Sequence, residues 1–320
     1  MVHYWAGALA ARGHSITVIT NTPDPQGLAP GGSYGSLRGA GLFAQWKAMR
    51  KADRVVMFNV SLKGLPLVWL SGKPLYVSHH TGLWYDGGAK PLRQRMKQWV
   101  ANRLAAGNCA CSGYIASLYN CCRVIHSPFR ADVFLPGKLP RRQGSVVFAG
   151  RLVSDKGVDL LLEAFAQLVR GGHNLTLTII GDGPDREMLE EKARGTGLLA
   201  HLPAQGPAVC FMGPLPQPEL VAQLQSHEIM VVPSRMEPMG LVVAEGLACG
   251  CRMVVSNQGG MPEVGGDFCR YFHSGQANAL ANAIREELTH PIEIDAGSLQ
   301  QHLSRFTIPF SADRLEEWLR

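Results

Sequence analysis

The sequence predicts an α/β fold made of two doubly wound, Rossmann-like domains facing each other across a cleft, the first lacking its opening strand. Three observations lead there. Apolar, β-branched runs alternate with segments of helical period along the whole chain. No internal repeat interrupts them, and a basic, turn-rich stretch at 137–144 separates two such series. A chain of 320 residues with 46% hydrophobic side chains can fill one large or two ordinary cores. The expected domains are 1–140, 141–300 and a C-terminal helix in 301–320 that crosses back to the first domain.

Taken in order, residues 2–13 read as a helix, because Trp5, Ala8, Leu9 and Arg12 recur at helical spacing and Gly13 is a natural stop. Residues 14–20 are β-branched and read as a strand. A parallel unit should open with a strand, so one is expected before residue 2. Residues 21–41, rich in Pro, Gly and Ser, read as loop. Helices are expected at 42–51, 65–70 and 90–105, the first and last amphipathic and basic, with strands at 54–59, 74–78, 108–112 and 123–125. The second domain should open with a strand at 145–149 and the loop 150–156, Gly-Arg-Leu-Val-Ser-Asp-Lys. Helices then follow at 157–170, 185–194, 219–226, 240–248, 277–289 and 312–319. Strands fall at 175–180, 209–212, up to 233, 252–256 and 270–272.

Composition narrows the function classes. No apolar run approaches the ~18 residues that span a bilayer, and the start lacks the basic and apolar regions of a signal peptide, which places the chain in the cytoplasm. The eight cysteines are then expected to be reduced thiols. Residues 1–145 hold 18 Lys/Arg against 4 Asp/Glu, whereas the rest of the chain is acidic. So basic a half favours anionic neighbours: nucleic acid, acidic lipid headgroups or a phosphorylated substrate. For any single Lys or Arg, a solvated surface charge is the simpler account.

Ligands of open α/β sheets bind outside the carboxyl ends of the strands, which draws attention to a few loops. Arg151 and Lys156 share one short loop after a strand. Two cations there would neutralise a diphosphate leaving group, though alone they equally describe a solvated loop. Glu237 and Glu245 bracket the start of the helix at 240–248, whose free N–H groups suit a phosphate. By spacing alone they are equally a helix-start carboxylate and a surface Glu. His80 follows a strand and precedes Thr81-Gly82, where the same rule puts functional groups. The sequence has no Asp-x-Asp to clamp a metal on a nucleotide, no P-loop and no nucleophile elbow at Ser234. Cys109 and Cys111 with Cys121-Cys122 do not match zinc spacings and read as buried thiols, and no metal site is expected.

Together, Phe148-Ala-Gly-Arg-Leu-Val-Ser-Asp-Lys-Gly157, Ile180-Gly-Asp-Gly-Pro184, Phe211-Met-Gly213, Pro233-Ser-x-x-Glu-Pro-x-Gly-Leu-x-x-x-Glu245, Ala248-Cys-Gly250 and Gly259-Gly-x-Pro-Glu263 closely resemble the retaining glycosyltransferases of GT-B fold, family 4. The resemblance covers nearly the whole chain and is most specific over 146–263. It implies that Arg151 and Lys156 bind the diphosphate of a UDP- or GDP-linked sugar, with the backbone N–H groups of Met239, Gly240 and Leu241, and that Gly213 belongs to the donor-binding set. It implies further that Glu245 holds the ribose hydroxyls, that Glu237 holds the donor sugar and that His80 stands near sugar and acceptor. Such enzymes need neither cofactor nor metal. Met239 and Gly246 depart from the family pattern tolerably. Family members also carry a first strand and a Gly-Gly loop ahead of residues 2–12.

The expected protein is therefore a retaining, metal-independent hexosyltransferase of bacterial surface polysaccharide synthesis. Its acceptor would be a glycan or a polyprenyl-diphosphate-linked chain, and its basic half would lie against an acidic membrane surface, with no nucleic-acid partner. The alternative is an inactive nucleotide-sugar-binding or scaffold protein of the same fold. A nucleotide-sugar epimerase is more distant, since it would need cleft acids or bases that the sequence does not display.

Overall fold

The computed structural model describes residues 1–21, 34–82, 92–119, 123–138, 140–199 and 208–320. The first two positions of the helix expected at 90–105 and the pair Cys121-Cys122 lie outside them. The chain divides into two compact units, Met1–Pro128 with Arg305–Arg320, and Phe129–Ser304.

The first unit opens with α1 (Val2–Ala11), which buries Trp5, Ala6 and Leu9, and the chain turns away where Gly13 takes a φ of +91°. Next, β1 (Thr17–Thr20) pairs in parallel with β2 (Gly35–Arg38). The second of these falls within the stretch expected as loop, because Gly-Ser-Leu-Arg contains no β-branched residue to signal a strand. There follow α2 (Leu42–Lys51), β3 (Val55–Phe58), α3 (Leu65–Ser71), β4 (Leu75–His79), α4 (Leu92–Arg103), β5 (Gly107–Ala110), α5 (Gly113–Tyr119) and β6 (Arg123–Val124). Strands β3, β4, β5 and β6 form a four-stranded parallel sheet in sequence order. Met49 of α2, Leu65 and Val68 of α3 and Val100 and Ala101 of α4 meet Leu75 and Val77 in one apolar cluster.

The second unit carries β7 (Arg142–Ala149), α6 (Val158–Arg170), β8 (Thr176–Ile180), α7 (Arg186–Gly195), β9 (Ala208–Gly213), α8 (Gln217–Ser226) and β10 (His227–Val232). After them come α9 (Leu241–Ala248), β11 (Arg252–Ser256), α10 (Met261–Gly265), β12 (Cys269–Phe272), α11 (Ala277–Thr289) and α12 (Ala296–Ser304). The sheet is parallel throughout, in the order β12-β11-β10-β7-β8-β9. Both faces are covered, which is why its strands read as continuous apolar runs. Phe148, Leu161, Phe165 and Ile179 are almost wholly buried in its core, each contributing about 2–3 kcal/mol from burial.

The strand order fixes the place of the site. From β7 the chain adds β8 and β9 on one side, then returns to add β10, β11 and β12 on the other. The connections leaving β7 and β10 therefore diverge to opposite faces, and a crevice opens between their carboxyl ends.

The last helix, α13 (Ile308–Leu319), belongs to the first unit. Trp5 Nε1 donates to Ser311 Oγ at 2.7 Å, and Arg12 pairs with Asp313 at 2.6 Å and Glu316 at 3.1 Å.

Gly157 begins α6 with a φ of +69°, and a Cβ there would stand 2.2 Å from the Pro233 carbonyl oxygen. Gly157→Ala should therefore destabilise the second unit by about 2 kcal/mol or more, measured by urea unfolding.

Candidate active site

The loop after β7 runs from Gly150 to Lys156 and ends in a 3-10 turn, Ser154–Lys156. The loop after β10 runs through Ser234 and Glu237 to Gly240, which opens α9 with a φ of +86°. These two loops flank the crevice where the strand order reverses, and ion pairs join them. Lys156 Nζ donates to Glu237 Oε2. Arg235 forks onto Asp159 of α6 at 2.8 and 2.7 Å, and its guanidinium also reaches the Ser154 carbonyl at 2.6 Å. Its own N–H donates to the Asp155 carbonyl at 2.8 Å. Those guanidinium hydrogen bonds hold the Asp159 carboxyl below its usual range.

Neighbouring loops are stitched to the same frame. Gly150 N–H donates to Ile180, Leu152 N–H to the Asp182 carbonyl, and Gly181 N–H to Gly213 at the end of β9. Gly260 N–H donates to the Glu237 carbonyl at 3.0 Å, and a Cβ on Gly259 would lie 1.9 Å from that oxygen. Glu237 is thus fixed through its backbone from one side and through its carboxylate from the other.

The remaining expected donor residues lie in the same two loops, in α9 or at the end of β9. Arg151 is exposed and has no ion-pair partner among the described residues. Met239 is buried and precedes Gly240. A Cβ at Gly240 would approach Met261 Cγ to 2.7 Å, so only glycine lets α9 begin this close. Leu241 starts the helix, whose first N–H groups have no intrahelical acceptors. Glu245 sits one turn further on, half-buried without a charged partner among the described residues, and burial pushes its carboxyl up to about 7. Arg151, Lys156, Gly213, Glu237, Met239, Gly240, Leu241 and Glu245 thus all belong to the second unit, in loops at strand ends or in α9.

His80 belongs to the first unit, just past β4. Its ring is hydrogen-bonded at both nitrogens, Nε2 to Ser78 Oγ at 2.8 Å and Nδ1 to Ser127 Oγ at 3.1 Å. Its backbone N–H donates to Asn59 Oδ1 at 2.8 Å. Trp5 and Phe58 pack beside the ring, with centroids at 5.6 and 5.5 Å. Burial, helped by the neighbouring His79 and the chain's amino terminus, pushes the imidazole down to about 3. At neutral pH it offers hydrogen bonds and no charge.

Among the described residues, no three His, Cys, Asp or Glu side chains gather as a metal ion would require. Cys249 and Cys251 are buried, and burial raises their thiols to about 12 and about 11, which suits inert packing. The sequence reading missed Arg235 and Asp159. Both are ordinary charges in sequence, 76 positions apart, and only the folded loops bring them together.

The family model of glycosyl transferases group 1 matches residues 135–304. The chain belongs to that family. Among curated relatives, a D-inositol 3-phosphate glycosyltransferase of Catenulispora acidiphila is 28% identical over 289 residues, covering 82% of this chain and 68% of the relative. The glycogen synthase of Mycobacterium tuberculosis is 34% identical over 148 residues, 46% of this chain and 34% of the enzyme. This member of the group 1 glycosyltransferases thus matches only about a third of that relative's length. Solved structures share its fold: Anabaena HepE in complex with UDP and glucose has a TM-score of 0.78 at 18% identity, covering 99% of this chain and 94% of that one. A lipopolysaccharide outer core galactosyltransferase, WaaB, has a TM-score of 0.68 at 13% identity, over 96% and 99% of the two chains. The fold is GT-B.

Glu245 supplies a pH test. Its folded value of about 7 lies above the ordinary 4.5, so the folded state holds a proton that the unfolded chain has already released. This contribution to stability is full below about pH 4.5 and lost as pH rises through about 7. Glu245→Gln should match the wild type at pH 4 and exceed it by about 2 kcal/mol at pH 8 in denaturant melts. The fork offers a second test. Asp159→Ala should leave α6 folded while the amides of 234–240 exchange hydrogen about tenfold faster, read by mass spectrometry.

Proposed function

We propose that this glycosyltransferase moves a hexose from a UDP- or GDP-linked donor to a glycan or lipid-linked acceptor, with retention of anomeric configuration and without a metal. The observation that carries the reading is the Lys156–Glu237 pair in the crevice of a group 1 family domain. Lys156 and Arg151 neutralise the diphosphate as it leaves, one as a point charge and one as a fork. The backbone N–H groups of Met239, Gly240 and Leu241 add the positive end of α9. Glu245 takes the ribose hydroxyls. Binding there trades a desolvated acid for a hydrogen-bonded carboxylate, so the pocket is ready for a hydroxyl donor and unfavourable when empty.

Glu237 holds the hydroxyls of the sugar and supports the positive charge that develops at its anomeric carbon. No carboxylate is assigned as a nucleophile: the acceptor attacks from the face the diphosphate leaves, and a diphosphate oxygen takes the acceptor's proton. His80, neutral and already oriented, serves as a hydrogen-bonding group toward sugar and acceptor. The sequence lacks the Asp-x-Asp clamp, so neutralisation of the leaving group falls to Arg151 and Lys156. Relatives support the donor class: a Mycolicibacterium smegmatis mannosyltransferase is described as GDP-mannose-dependent, and HepE as bound to UDP-glucose. The acceptor setting we favour is bacterial surface polysaccharide assembly in the cytoplasm, peripheral to the membrane. Among the described residues, no helix is long and apolar enough to cross a membrane.

A panel of UDP- and GDP-hexoses, assayed for sugar release and transfer, tests the reading. One donor should turn over, and Glu237→Ala or Lys156→Ala should each lower its turnover about a hundredfold or more without altering the melting temperature. Full activity in either variant would refute the site, and binding of a donor with no turnover by the wild type would favour the inactive, scaffold reading.

A further inference from the structure

The large apolar side chains that remain exposed are concentrated in one part of the molecule. Of the eleven among the described residues, eight fall between positions 42 and 104: Leu42, Phe43, Trp69, Leu70, Leu92, Met96, Trp99 and Leu104. All three aromatic members are there, with Phe43 exposed by 73%, Trp69 by 82% and Trp99 by 57%. They sit on α2 and α3, on α4 and just past its end. These helices all contribute to the same core cluster, so their inward faces are already occupied.

The α2–α3 portion forms a continuous patch. The Phe43 and Trp46 rings lie 5.6 Å apart, and Trp46 Nε1 donates to the Leu70 carbonyl at 3.1 Å. On α4, Leu92, Met96 and Trp99 recur at helical spacing along an outward stripe, while Val100 and Ala101, further round the helix, are buried. The helix therefore has two apolar faces, one packed and one open.

Charge decides what covers that face. Residues 38–104 hold 12 Lys/Arg and only Asp53 and Asp86 in opposition. Lys47, Arg50 and Lys51 are exposed on α2, and the Arg50 guanidinium lies 5.3 Å over the Trp46 ring. A second copy of this surface would bring cation against cation. A nucleic acid would satisfy the cations and leave Leu42, Leu70, Leu92 and Leu104 in water. An anionic bilayer satisfies both kinds of group, with acyl chains for the leucines and aromatics and phosphates for the Lys and Arg above them. We propose that the outward faces of α2, α3 and α4 form an interfacial docking surface for an anionic lipid membrane, with Phe43, Trp69 and Trp99 as its anchors.

The proposal rests on the peripheral role given above and names the surface responsible. It predicts that flotation with vesicles recovers the full chain on phosphatidylcholine containing about one third phosphatidylglycerol, and not on phosphatidylcholine alone. Raising salt should weaken capture. Phe43→Ser with Trp69→Ser should lower partitioning about tenfold or more, since both side chains are in water and their loss spares the core. Lys47→Glu with Lys51→Glu should act similarly, and both double variants should keep the wild-type melting temperature. No capture on anionic vesicles, or capture that both double variants retain, overturns the proposal. So does capture of a single-stranded oligonucleotide in place of vesicles, or a dimer that these substitutions dissolve. Sugar transfer to a water-soluble acceptor separates the two readings. It should be unchanged in the double variants, and docking by a chain without any transfer activity would sink the transferase reading while sustaining this one.

Discussion

Reversal of strand order between β7 and β10 is the constraint on which the rest of the second unit depends. A parallel sheet can grow from a central strand in two directions only if the crossovers on its two sides leave to opposite faces, and the loops that follow β7 and β10 then part over a crevice. Everything charged near the candidate site is arranged about that parting. Lys156 comes from one loop and Glu237 from the other, 81 positions away, and their ion pair joins the two. Arg235 fixes the distance between the loops from below, because it holds Asp159, Ser154 and Asp155 together.

The glycines of this region follow from the same geometry. Gly181 and Gly183 would put a Cβ 1.9 Å from the Gly150 carbonyl oxygen and 2.2 Å from that of Leu152. Backbone packs directly on backbone across three adjacent strand ends, and no side chain fits between. Gly181, Gly183 and Gly259 are therefore contact points of one loop on another.

Much of this was legible in the sequence, and the parts that were not share a physical cause. β11 and α11 have the bounds that the sequence predicts, since a buried strand and a long amphipathic helix state their period and their ends. β2 was hidden because Gly-Ser-Leu-Arg becomes a strand only through its ladder to β1. α5 covers seven residues, too few to display a helical period, and α12 is largely polar with few apolar positions to mark one. The site residues announced themselves by motif, but the partners that position them did not. Arg235 and Asp159 carry no local pattern, and a pairing 76 positions apart exists only after the sheet has formed.

The candidate site is electrostatically uneven, and this bears on what it can accept. Glu237 has a cation at contact, whereas Glu245 has none among the described residues and is driven by burial toward its neutral form. Arg151, for its part, is a cation with no ion-pair partner among the described residues. A ligand that carried only negative charge would suit Arg151 and gain nothing from Glu245; one that carried only hydroxyls would do the reverse. A molecule with an anionic centre and hydroxyl groups on both sides satisfies all four residues at once. Its anion relieves Arg151 and takes a share of Lys156, which frees Glu237 to accept from one set of hydroxyls while Glu245 accepts from the other. A nucleotide-diphosphate sugar has that sequence of groups, with ribose, diphosphate and hexose in a row, which is the chemical case for the donor class proposed here.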